Sequence, residues 1–105
     1  MALPQTTAAY EDCYEHYDRA RESPKGIRIL MPDRSAAQHL QFRMHQARSL
    51  ERRDACRLYD KTDHRWGKSV NDPYRVSLRA PAPGEDGYWV YIEPWGQATE
   101  AIEEL

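Results

Sequence analysis

From Asp33 to Arg57 the chain reads DRSAAQHLQFRMHQARSLERRDACR, with glutamine, histidine and arginine recurring at helical spacing. With Leu40 at zero on a wheel of about 100° per residue, Ala36, Ala37, Leu40, Met44 and Ala47 fall within about 60° of one line. The opposite side carries Gln38, Gln41, Phe42, His45, Gln46, Ser49, Arg52 and Arg53. Glutamine and arginine are the side chains that read base edges, and arginine also grips phosphates in a bidentate fork. The candidate contacts here are Gln41, Phe42, Arg43, His45, Arg48, Arg52, Arg53 and Arg57. Phe42 could stack on a base, dock into a groove on a protein partner, or pack under another helix. The arginines could equally form a solvated face.

A second constellation lies near the C-terminus. Tyr74–Ala80 alternates with Tyr74, Val76 and Leu78 on one side and Arg75, Ser77 and Arg79 on the other. Tyr88–Glu93 puts Tyr88, Val90 and Ile92 inward and leaves Trp89 and Tyr91 outward. As a hairpin, these runs set Arg75 and Arg79 beside Trp89 and Tyr91. A guanidinium over an exposed ring gains about 0.5–1 kcal/mol, so the pattern serves as surface cover. It also matches the stacking platforms that hold single-stranded nucleic acid.

Other chemistry has little footing. Gly67-Lys68-Ser69 matches only the end of a phosphate-binding loop, because Thr62 stands where the first glycine is required and Pro73 follows closely. Cys13, His16, Cys56 and His64 lack the spacing of a zinc knuckle, and Cys13 fits the apolar stripe of its own helix. His39 and His45 face different ways. No nucleophile–base arrangement is recognisable, and Glu85-Asp86 and Glu103-Glu104 read as solvated pairs. The expectation is a non-enzymatic protein without metal or cofactor.

The elements that must position these residues follow from local signals. Thr6 or Thr7 can cap a first helix reaching about Glu22, with Tyr10, Cys13, Tyr14 and Tyr17 on one face. Pro24-Lys25-Gly26 ends it. Ile27–Met31 is nearly continuous and predicts a strand buried on both faces or nearly so. Asp33 or Ser35, the latter with Gln38 in a capping box, starts the long helix. Leu50 and Glu51 fit its buried stripe poorly, predicting that it frays, bends or leaves the core near residues 50–54. Cys56–Tyr59 then reads as a short strand or extended arm. Residues 60–73 form an irregular loop anchored by Trp66, and residues 1–6 a loose lead. Gln97–Leu105 can make two turns of acidic helix. The sum is one α+β domain: helix, strand, helix, antiparallel hairpin, short helix, with helices on one face of a three-stranded sheet.

Charge is strongly segregated within the formal net of −2. Residues 1–26 hold three basic and five acidic side chains, residues 27–80 twelve and six, and residues 81–105 none and six. Twelve of the fifteen basic residues are arginine. A +6 middle and a −6 tail suit an anionic ligand, or self-association into a homo-oligomer. Mean hydropathy is −0.94, so seven Tyr, three Trp and one Phe must supply burial that scarce aliphatics cannot. Two distant cysteines, no signal-peptide core and no apolar run of about 18–20 residues predict a soluble protein of a reducing cytoplasm, away from membranes.

The string SPKGIRILMPDRSAAQHLQFRMHQARSLERRDACRLYD, followed by WGKSVNDPYRVSL, resembles small orphan proteins encoded by tailed phages and prophages. The resemblance covers roughly residues 20–80 and brings no functional residue with it. It implies an accessory protein made during infection, acting in the host cytoplasm. The expected function is nucleic-acid binding, to DNA or RNA, through the Arg/Gln-rich helix. The alternative is an inhibitor or adaptor that binds a host protein.

Overall fold

The computed structural model describes residues 9–95. In chain order the elements are α1 (Glu11–Glu22), β1 (Ile27–Met31), α2 (Arg34–Leu58), β2 (Tyr74–Arg79) and β3 (Tyr88–Pro94). The three strands form one antiparallel sheet in the order β1-β3-β2. Ile27, Ile29, Met31, Tyr74, Val76, Leu78, Tyr88, Val90 and Ile92 all point to the same side, where both helices cover them. The α+β class and the covered face therefore match the sequence reading. The proposed C-terminal helix and the Thr6/Thr7 cap lie outside the described residues. No described helix is long and apolar enough to cross a membrane.

α2 is the hub. Asp33, in extended backbone, accepts a hydrogen bond from the Ala36 amide at 2.8 Å, so the cap is Asp33 and not the Ser35/Gln38 box. Ala37, Leu40, Met44 and Ala47 bury the expected narrow seam. Cys13, Tyr17 and Ala20 of α1 meet it, and Tyr14 and Tyr17 donate their hydroxyls to the carbonyls of Ala47 and Met44. Tyrosine can thus be core here without leaving its oxygen unpaired.

Three expectations are corrected. α2 neither frays nor bends out at 50–54 but continues to Leu58, so Cys56–Tyr59 is no arm. Glu51 stays turned inward because the Ser69 hydroxyl and the Asn71 amide both donate to its carboxylate at 2.7 Å. The same contacts, with Arg21 to Asn71 and Arg52 to Asp72, tie down the 60–73 loop. Trp66 remains 38% exposed and is not its anchor. β1, finally, is buried on one face only: Arg28 and Leu30 are exposed between half-buried neighbours.

The backbone ladder can be read residue by residue. Pro73 C=O accepts from the Trp95 N–H, so by alternation Arg75, Ser77 and Arg79 exchange hydrogen bonds with Glu93, Tyr91 and Trp89. Tyr88, Val90 and Ile92 then bond the other way, to Met31, Ile29 and Ile27. Pro94 falls where its missing N–H faces the space beyond the end of β1, so no ladder bond is lost. The carbonyls of Tyr74 and Val76 point away from the sheet. There Arg48 Nη1 and Gln41 Nε2, both from α2, donate to them at 2.9 Å.

Between the helices, Arg43 donates two hydrogen bonds to the Asp12 carboxylate, holding it below the usual carboxylate range. A carboxyl depressed in the folded state stabilises the fold above its ordinary pKa of 3.8 and loses that contribution as pH falls below it. The acid limb of an unfolding titration should therefore flatten in Asp12→Asn. Half of the Asp12 side chain is exposed, so added salt should shrink the difference.

Candidate functional site

The helix face expected to meet a ligand is largely occupied by the protein itself. Arg43 is engaged by Asp12 and by the Ala9 carbonyl, and Arg52 by Asp72. Arg48 is only 6% exposed; its guanidinium lies between the Tyr17 hydroxyl, at 3.0 Å from Nη2, and the Tyr74 carbonyl. Gln41 is committed to the edge of β2. His45 is exposed, with its basicity lowered by partial burial of the ring and then by Arg48 and Arg52. Phe42 is 57% exposed. Arg53 and Arg57 reach solvent with no ion pair among the described residues. What survives of the α2 surface is thus scattered rather than continuous.

The four hairpin candidates, by contrast, are brought together on the sheet face that no described helix covers. Trp89 stands opposite Arg79 on β2 and Leu30 on β1, and Tyr91 stands opposite Ser77 and Arg28. The ring contacts run on the diagonal rather than straight across. The Arg79 guanidinium lies 3.8 Å from the Tyr91 ring centre, and Arg28 lies 3.9 Å from that of Trp89. Arg28 also donates to the Tyr91 hydroxyl at 3.3 Å. Arg75, directly opposite Glu93, donates to its carboxylate, as does Arg79. Trp95 extends the aromatic row beside Arg75.

Arg28 is the site residue that sequence reasoning missed. Its signal was present: one arginine inside an aliphatic run of five says that alternate positions face water. Beside it, Lys25, Gly26, Ile27, Tyr91 and Glu93 complete a shallow depression of about 270 Å³. Among the described residues the face carries Lys25, Arg28, Arg75 and Arg79 against one carboxylate, Glu93. It is therefore cationic inside a chain whose formal net charge is −2.

The remaining chemistry separates. Cys13 is fully buried, and burial pushes its thiol up to about 11, whereas Cys56 is exposed on α2. The two cannot share a metal, and no cluster of three or more His, Cys, Asp or Glu that could hold one occurs among the described residues. At Gly67-Lys68-Ser69 no helix follows, and the Ser69 hydroxyl is spent on Glu51. Rigid rings with guanidinium groups laid over them can stack planar groups and hold anions. No family model, curated protein or solved structure matches this chain.

Proposed function

We propose that the protein is a non-enzymatic accessory protein that binds single-stranded nucleic acid on the open face of its sheet. The observation that carries this reading is the pair of ring–guanidinium stacks, Trp89 with Arg28 and Tyr91 with Arg79, on a face left uncovered by both helices. Every base has a π-face, so such rings accept bases with little sequence preference, while Arg28, Arg75 and Arg79 meet phosphates. A duplex keeps its bases stacked and offers these rings nothing, so single strands are the preferred form. The Arg/Gln helix takes a minor part, because Arg48 is buried and the other basic side chains of α2 are scattered rather than gathered on one face.

Binding is tested by anisotropy with labelled single- and double-stranded DNA and RNA at about 50 mM salt, where screening is weak. Trp89→Ala combined with Tyr91→Ala should lower affinity about 30-fold or more, at about 1–3 kcal/mol per stacked base. Three neutralised phosphates should give a slope near −2 for log affinity against log salt, at about −0.7 each. Absence of binding to every probe would remove the reading. The second reading, a host protein as target, draws on exposed Phe42 on α2. A pull-down with nuclease added separates the two, since only a protein partner survives digestion.

A further inference from the structure

The two edges of the sheet are treated differently. Along β2, Arg48 and Gln41 fill the outward carbonyls of Tyr74 and Val76, and Asn71 C=O takes the outward N–H of Tyr74. These contacts close the Tyr74–Val76 stretch of that edge to a further strand. Along β1 the ladder register leaves Arg28 and Leu30 with backbone N–H and C=O groups directed away from β3. No group among the described residues bonds to them. Leu30 is also 53% exposed, an unusual place for leucine in the middle of a strand.

We propose that β1 pairs antiparallel with β1 of a second copy of this chain, about a twofold axis passing beside Ile29. Three central registers are open to such a pair, and side-chain chemistry selects one. Centring on Arg28 sets Arg28 directly against its own symmetry mate, a like-charge pair. Centring on Leu30 sets Arg28 against Pro32, which has no N–H to give. Centring on Ile29 sets Arg28 against Leu30 on both sides of the axis. The outward groups of both residues then meet as two hydrogen-bonded pairs, with Ile29 facing Ile29 between them. The same register sets the Leu30 end of each β1, where Asp86 lies, beside the Arg28 end of the other. That carboxylate borders a depression of about 330 Å³ with Leu30, Met31, Pro32 and Gly87. An isologous pairing of this kind closes on itself and makes a dimer, because each β1 edge is used up by its mate. It joins two three-stranded sheets into one of six and sets the two open faces side by side. The pairing stands whether or not those faces bind nucleic acid.

A single short strand pair is a small interface, so a reversible monomer–dimer equilibrium is expected by sedimentation of the full chain between about 10 µM and about 1 mM. Leu30→Glu places a carboxylate opposite Arg28 twice per dimer and should tighten association about tenfold. Leu30→Arg opposes like charges at the same two places and should weaken it about tenfold. Leu30→Pro removes an N–H that faces only the free edge, so it should yield a monomer that keeps β1 on β3. If that variant unfolds, the two charged substitutions at an exposed site still decide. A chain that stays monomeric up to about 1 mM overturns the proposal. So does a shift in the same direction for Leu30→Glu and Leu30→Arg.

Discussion

Arg48→Ala should cost about 3–4 kcal/mol of folding stability and lower the melting temperature by about 15 °C or more. The guanidinium has no carboxylate partner among the described residues. It is held instead by the Tyr17 hydroxyl and the Tyr74 carbonyl, and Tyr17 in turn donates to Met44 C=O at 3.0 Å. Truncation leaves the Tyr74 carbonyl unpaired, at about 1–3 kcal/mol, and empties the space filled by the aliphatic stem, a further cost of about 2 kcal/mol. Arg48→Met keeps the stem and relieves the burial of an unpaired cation, so it should lose only about 1 kcal/mol. Arg43→Ala and Arg52→Ala break half-exposed ion pairs and should each cost less than about 1 kcal/mol. Chemical denaturation of the four variants checks the ranking. Equal losses for Arg48→Ala and Arg52→Ala would mean that the Arg48 side chain lies in water.

Gly26→Ala should be as damaging, for a different reason. Gly26 has φ +85°, and a Cβ built on it would lie 2.0 Å from the Ile92 carbonyl oxygen and 2.9 Å from Glu93 Cα. Both obstacles are backbone of the central strand, so neither can rotate aside. The start of β1 must then separate from β3, taking Ile27 out of the core. A loss of about 4 kcal/mol or more is expected. Gly84 provides the control. Its φ is +86°, yet nothing lies within 4 Å of its would-be Cβ. Gly84→Ala should therefore cost only the left-handed backbone strain, about 1–2 kcal/mol. Near-equal denaturation midpoints for the two variants would contradict the close approach of Gly26 to β3.

The contrast between Arg48 and Arg28 marks how much the sequence discloses. The β2–β3 alternation was legible, because period-two patterning directly reports which side of a sheet is covered. So was the alanine–leucine–methionine seam of α2. Arg48 and Glu51 were not, since a polar side chain looks solvated until its partners are known. Those partners come from α1, the 60–73 loop and β2, segments that periodicity within one helix cannot connect. Strand order was hidden for the same reason: alternation identifies a face but not a neighbour. Arg28 was readable and was outweighed by the four aliphatic residues around it. On the candidate surface, Arg75, Arg79, Trp89 and Tyr91 were correctly grouped, but their diagonal stacking depends on a register that residue types do not encode.

The central strand, β3, comes after every other described element in the chain. During synthesis the ribosome therefore delivers both flanking strands before the one they must join, and until then neither has a template. α1 and α2 can already zip together through Tyr14 and Tyr17, but only as a helical pair with one greasy flank bare. A nascent chain that stops short of Tyr88 therefore holds two strands with nothing between them, and the sheet condenses in one step once β3 is made.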